Sequence, residues 1–252
     1  MVGVDAMTPM PALRPWIADV TLMRPDTPLP VVHPPDATTA LVYRRTGPHS
    51  GDLHVVGPRS RATCHPGKKL PMAIRVRLRP GAARSVFDVP VSELRDRAVA
   101  LTELWGARAA RLQHQLNELP RTDTVLREIE GALLECLHDD PDPRNALLRE
   151  AVESLSSTSE RITELARRLS VSERHLRDLF TDRVGLAPKR FARVQRVRAV
   201  LAGAGSARWA GLAATTGYYD QSHMAADFHA LVGVTPAAFR AGHLPTVTPC
   251  DT

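Results

Sequence analysis

The chain has 252 residues, enough for two modest domains with their own cores, and carries 33 Lys and Arg against 27 Asp and Glu for a net charge of +6. Three widely spaced cysteines (Cys64, Cys136, Cys250) give neither a disulfide framework nor a zinc spacing. No apolar run approaches the length of a membrane span, and the first residues lack a basic segment followed by an apolar one, so a cytoplasmic chain that is not exported is expected.

The first thirty-five residues hold Pro9, Pro11, Pro15, Pro25, Pro28, Pro30, Pro34 and Pro35, which argues against long regular elements there. Leu13 to Val20 fits one short strand or helical turn, with Trp16 inward. Three strands are expected at Thr38–Arg44, Leu53–Gly57 and Ala73–Arg79. The last is the clearest, because Ile74, Val76 and Leu78 alternate with Arg75, Arg77 and Arg79. Its basic side is expected to be a solvated sheet face; the alternative is that these three arginines line an anion-binding ligand pocket. His54, His65 and Cys64 flank one loop, and a metal there is the less favoured reading.

From Val91 the pattern turns helical through Leu94, Leu101, Leu104 and Trp105 to Ala109, Leu112, Leu116 and Leu119. Helices are also expected at Thr124–Leu137 and Asn145–Leu155. The stretch Asp139-Asp-Pro-Asp-Pro143 between them is the expected domain boundary.

Beyond it one pattern occurs twice. Leu176-x3-Phe180-x4-Gly185-x2-Pro188-x2-Phe191 returns as Met224-x3-Phe228-x4-Gly233-x2-Pro236-x2-Phe239, displaced by 48 residues. Ile162, Leu165, Ala166 and Leu169 form one face of a preceding helix, Ser172 suits the N-cap of the next, and Gly185 suits its end. Helix, tight turn and a second helix with an exposed polar face is the helix-turn-helix pattern. In the second copy Leu212 and Ala213 lie in the first helix, Gly217 in the turn, Asp220 at the cap, and Thr235-Pro236 opens a terminal helix. One connecting helix is expected from Pro188 to about Leu201, with Phe191, Val194, Val197 and Leu201 inward.

Charge follows the same division. Residues 143–243 hold 15 Lys and Arg against 9 Asp and Glu, while the rest balances at 18 against 18. An excess confined to the repeat region points to a polyanion partner.

The run Leu165-Ala-x2-Leu-x-Val-Ser172, the Gly185-x2-Pro188 step, Gly217-Tyr-Tyr-Asp-Gln-Ser-His223 and Phe228-x4-Gly233-Val-Thr-Pro-x2-Phe239-Arg240 together resemble the AraC/XylS family of bacterial transcription regulators. Leu13-Arg-Pro-Trp16, Gly57-Pro, Val76-x-Leu-Arg-Pro-Gly-Ala-Ala83, Val89-Pro-Val-Ser-Glu-Leu-x-Asp-Arg97 and Leu104-Trp-Gly106 are similar to a module that precedes such domains in many actinobacterial regulators. The resemblance implies an α+β chain in four parts. A mixed α/β sensor-like domain at 1–120 is followed by a linker helix at 121–142, open to dimerisation, and by an all-α domain at 143–243. There two helix-turn-helix subdomains are joined by a long helix, ahead of a flexible tail at 244–252.

The resemblance also implies roles. Arg174, Arg177 and Asp178 in the first reading helix, and Gln221, Ser222, Ala225 and Ala226 in the second, take the positions that face bases. Arginine donates a bidentate pair to guanine, with about 1–3 kcal/mol of discrimination for each good contact; aspartate only accepts. Asp178 stands where a basic residue is common and is alternatively a partner for Arg174 at i−4. Ala226 stands where arginine is common, so the second unit is expected to discriminate weakly and to position the chain on the backbone. Ser172, Lys189, Arg190, Arg193 and Arg196 are expected at phosphates, with at least one arginine of the connecting helix, Arg198 among them, paired inside the protein instead.

The expected partners are double-stranded DNA and RNA polymerase, with a small-molecule effector and a second copy of the chain left open; no cofactor, no metal and no membrane is expected. No nucleophile elbow, phosphate loop or His-Glu-x2-His is present, so an enzyme is not expected. The expected function is a sequence-specific regulator, activator rather than repressor. An architectural DNA-binding protein is the first alternative, and a small-molecule-binding enzyme with an accessory basic domain is the second.

Overall fold

The computed structural model describes residues 3–24, 30–67, 69–137, 143–157, 160–205 and 208–245. The expected boundary at Asp139–Pro143 falls almost entirely outside them, as does most of the tail.

The N-terminal part is sheet-rich. Strands β1 (Gly3–Met7), β2 (Ile17–Arg24), β4 (Ala40–Gly47), β5 (Ser50–Val56), β7 (Met72–Leu78) and β8 (Ala98–Ala100) form one antiparallel sheet in the order β1-β2-β7-β4-β5-β8. Strands β3 (Val31–His33) and β6 (Thr63–His65) form a separate two-stranded ribbon. The alternation of β7 sets the layers. Ile74 lies opposite Leu22 and Tyr43, and Val76 opposite Val20 and Leu41, all of them buried. On the other side Arg75 lies opposite Thr21 and Val42, and Arg77 opposite Asp19 and Ala40.

Helices α1 (Ala82–Phe87), α2 (Leu101–Trp105), α3 (Ala107–Glu118) and α4 (Thr122–Cys136) complete the first core. Val125, Leu126, Ile129 and Leu133 of α4 are buried in that core, so the helix expected to link domains packs its apolar stripe into the N-terminal part. The Tyr43 hydroxyl, buried beneath α3, donates to the Leu116 carbonyl at 3.3 Å.

Two expectations fail in this part. The proline-rich start contains an eight-residue strand, β2, because the segment 17–24 is itself free of proline and pairs on both sides. Leu13 is the fully buried residue before it, and Trp16, expected inward, packs half-buried against the same core. The helical pattern from Val91 is interrupted by β8, whose three residues are too few to show a period of two.

The C-terminal part is helical throughout: α5 (Pro143–Ser157), α6 (Ile162–Arg168), α7 (Glu173–Val184), α8 (Pro188–Gly203), α9 (Trp209–Thr215), α10 (Gln221–Val232) and α11 (Pro236–Arg240). They share a second core around Phe180, Phe191 and Phe228. Val200, not Leu201, is the last fully buried residue of α8; Leu201 is half-buried. The two cores meet. Ala37, from the stretch before β4, belongs to the second core, and the Ala62 amide donates to the Leu231 carbonyl of α10 at 2.7 Å.

Candidate nucleic-acid interface

Both copies of the repeat fold alike. In the first, α6 ends at a turn in which Ser170 takes φ +54° and the Val171 amide donates to the Ala166 carbonyl at 3.0 Å. The Ser172 hydroxyl accepts from the His175 amide at 3.0 Å and so caps α7. In the second, Gly217 takes φ +74°, the Tyr218 amide donates to the Ala213 carbonyl at 3.0 Å, and Asp220 caps α10 by accepting from the His223 amide at 2.7 Å. Gly185 and Gly233 end the two helices at φ +78° and +88°. At Gly185 an added Cβ would lie 2.8 Å from the Val91 carbonyl oxygen, so the glycine also admits the N-terminal part to close contact. Edge-to-face pairs of Phe180 with Phe191 and of Phe228 with Phe239, at 5.5 and 5.7 Å, repeat the same packing.

Leu176, Leu179, Phe180 and Val184 bury one side of α7, which leaves Arg174, His175, Arg177 and Asp178 in solvent. Arg174 lies 3.9 Å from Asp178, the i,i+4 pairing expected from the sequence, with both side chains more than two-thirds exposed. So exposed a pair holds Arg174 weakly and leaves it free to rearrange. Gln221, Ser222 and Ala226 on α10 are exposed as well, and Ala225 is half-buried. Across α10 there is no Lys or Arg.

The connecting helix departs from the expectation that most of its cations face phosphate. Arg193 donates twice to Oδ1 of the buried Asp227, at 3.0 and 2.8 Å; Arg196 lies 3.6 Å from Oδ2 and 4.9 Å over the Tyr218 ring. Arg190 donates to the Ser60 carbonyl at 2.6 Å, and Arg198 forms a 3.0 Å ion pair with Asp36. All four arginines are thus engaged inside the protein. Among the described residues Lys189 is the exposed cation of α8 with no such partner.

Three residues of functional interest are not visible from the sequence. Tyr219 is 94 % exposed in the turn before α10, an unusual setting for a large aromatic residue. Asp227 organises two arginines from 34 and 31 positions away. Asp36 does the same for the N-terminal part. The only signal for Tyr219 was that Tyr218 beside it fills the inward position.

The three arginines that alternate along and past β7 part company. Arg75 and Arg77 are half-buried on β7, whereas Arg79 lies exposed past the strand and donates to the Arg14 carbonyl. Among the described residues no three His, Cys, Asp or Glu side chains gather as a metal site, and no helix is long and apolar enough to cross a membrane.

Comparison with known proteins gives two matches to domain families. Residues 165–242 match a helix-turn-helix domain, and residues 5–100 match a domain of unknown function, DUF6597. No curated protein matches the sequence. Among solved structures, ToxT from Vibrio cholerae O395 is 10% identical with a TM-score of 0.43 over 96% of each chain. An unsaturated fatty acid-bound ToxT from Vibrio cholerae strain SCE256 is 10% identical with a TM-score of 0.40, over 97% of this chain and 96% of that one.

Proposed function

We propose that this chain, with an AraC-type helix-turn-helix domain at its C-terminus behind a DUF6597 domain, is a cytoplasmic transcription regulator that reads two successive major grooves. The observation that carries this reading is the pair of matched helix-turn-helix units, of which the first presents two exposed arginines on a helix whose opposite side is locked into a core. Such a helix can enter a groove as a rigid body and place Arg174 and Arg177 at base edges. Asp178 holds Arg174 in the free protein and yields it to guanine, or itself accepts from cytosine N4. Lys189, the Ser172 backbone and the turn around Tyr219 contact phosphates.

The second unit reads less. Gln221 can address adenine, Ser222 a base or a phosphate, and Ala225 and Ala226 offer only methyl contact. The N-terminal domain modulates affinity through its contacts with α7, α8 and α10; activation, with contact to RNA polymerase, is the sign that the family resemblance favours.

The bare α10 surface favours one second reading, an architectural protein that binds DNA without sequence preference. Selection of genomic fragments by the purified full chain, followed by titration at several salt concentrations, separates the two. A regulator yields a site with two short elements about one turn apart. Arg177→Ala then lowers preference for that site by about 1–3 kcal/mol, roughly fivefold to 150-fold. Equal binding to selected and random DNA at every salt concentration would leave the architectural reading standing.

A further inference from the structure

The basic side of β7 does not face open solvent. Arg77 is only 18% exposed and pairs with Asp19 at 2.8 Å and with Asp36 at 3.5 Å. Arg59 reaches toward Asp36 at 4.0 Å and donates to the Pro34 carbonyl. Arg198 arrives from α8 of the DNA-binding part, pairing with Asp36 at 3.0 Å and donating to the Pro35 carbonyl at 3.3 Å. Arg75 stands next to Arg77 on the same strand face and has one bond, from Nε to the Thr21 hydroxyl at 3.2 Å. Three guanidiniums therefore share two carboxylates, Asp36, itself 6% exposed, is divided among all three, and Arg75 stands beside them as a fourth cation. Among the described residues no carboxylate lies within ion-pair distance of Arg75.

Such a group cannot relieve itself by losing a proton, since a guanidinium stays charged in any protein. Burial and mutual repulsion press the Arg59 and Arg75 pKa values downward, and burial with the same arginines holds His33 on β3 neutral down to about pH 4. The neighbouring ribbon thus supplies a neutral ring and no compensating charge. A surplus of two positive charges in a half-buried junction is a standing demand for an anion, and forked guanidiniums match the planar or tetrahedral oxygens of carboxylate and phosphate.

We infer that the junction formed by Arg59, Arg75, Arg77 and Arg198 is the effector site, and that it takes a small oxyanion, a carboxylate or a phosphate, with Arg75 as its principal donor. This inference deepens the regulator reading in one respect only. Because Arg198 belongs to the connecting helix, an anion that competes with Asp36 for it alters how the helix-turn-helix units are seated. Binding itself does not depend on any role in transcription.

The test uses the full chain without DNA. Thermal unfolding is followed in sodium phosphate and in sodium succinate against sodium chloride at matched ionic strength. The expected result is a saturable rise in Tm, about 3–6 °C when the anion is tenfold above its Kd. A rise with phosphate alone assigns the phosphate source, with succinate alone the carboxylate source, and with both a site that reads charge and oxygen geometry.

Arg75→Gln should abolish the rise while leaving the protein in chloride at least as stable as the parent, because it removes repulsion and only one hydrogen bond. Arg75→Lys should keep a weaker rise. The Arg174→Ala, Arg177→Ala, Lys189→Ala triple variant should keep it in full, which separates this junction from anion binding on the DNA face. Absence of any rise beyond chloride, a rise retained in Arg75→Gln, a rise lost in the triple variant, or an Arg75→Gln chain that fails to fold would each overturn the inference. A second readout, DNA affinity with and without the anion, should change several-fold in the parent and not in Arg75→Gln. If the chain binds no DNA specifically yet shows the Tm pattern, the anion site stands and the regulator reading falls.

Discussion

Replacing Asp227 by alanine should cost the DNA-binding part more stability than any change on its exposed reading surface. Asp227 is 7% exposed on α10 and joins that helix to α8 through two hydrogen bonds to Arg193 and the nearby Arg196. Tyr218 packs against the Arg196 guanidinium, and burial together with the charge of Asp227 pushes its hydroxyl up to about 12, so this aromatic wall stays neutral. Alanine at 227 would leave two guanidiniums beside each other with no carboxylate between them. Removing one partner of a buried pair costs about 3–5 kcal/mol. Both arginine side chains keep more than a quarter of their surface in water, which places the expected loss near the lower end, about 3 kcal/mol. For the whole chain of 252 residues unfolding together, that is a fall in Tm of roughly 6–12 °C.

Urea unfolding of the parent, Asp227→Ala, Arg193→Ala and the double variant measures the coupling directly. A coupling of about 1–3 kcal/mol is expected for groups in direct contact. A coupling below about 0.5 kcal/mol, with Asp227→Ala nearly as stable as the parent, would show that Arg193 and Arg196 are not held as described. Their assignment to phosphate would then return.

Three further expectations follow from single positions. Ala226→Arg, on the exposed side of α10, should raise DNA affinity and steepen the slope of log K against log salt by about 0.9 if the new cation neutralises one phosphate. An unchanged slope would show that this face is turned from the backbone. Tyr219→Ala should leave stability within about 0.5 kcal/mol, since the side chain touches little, and lower DNA affinity several-fold; unchanged affinity removes Tyr219 from the interface. His33 has a folded pKa near 4, below its ordinary 6.5, so the unfolded chain binds the extra proton between those values. The stability it contributes is therefore present above pH 6.5 and lost as pH falls toward 4, with a loss on the order of 2 kcal/mol between pH 7 and pH 5. His33→Gln should flatten that part of the pH profile, and an unaltered profile would refute the assignment.

What the sequence disclosed and what it withheld divide along the range of the interactions. The caps at Ser172, Asp220 and Thr235 and the left-handed glycines 185, 217 and 233 are decided within a few residues, and a fixed offset of the repeat exposes them. The alternation of β7 likewise told which side is apolar. It could not tell what covers the other side, because the ribbon of β3 and β6 and the arginine from α8 come from elsewhere in the chain. The fate of the arginines on α8 was hidden for the same reason. Arg193 and Lys189 look alike in sequence, and only the placement of Asp227 on α10 separates the paired cation from the exposed one. Strands of three residues such as β8 carry no period at all, and proline content misleads when the prolines bracket a strand instead of entering it.

The contacts between the two parts bear on how an effector could act. The stretch 57–62 and its neighbours touch all three helices to which the proposed function assigns DNA contacts. Pro58 and Val91 abut Gly185 at the end of α7, Ser60 accepts from Arg190 on α8, and Ala62 donates to Leu231 near the end of α10. The proposed reading of two grooves at once requires the two reading helices at one separation, set by the pitch of the duplex. Here that separation is held from outside the helix-turn-helix units as well as by α8 between them. Under that reading, a displacement of this loop would shift both helices against each other, with the penalty on simultaneous binding and not on either half alone. An effector acting through Asp36 and Arg198 needs only a differential affinity for the two seatings, and that difference is also the limit of its effect on DNA binding.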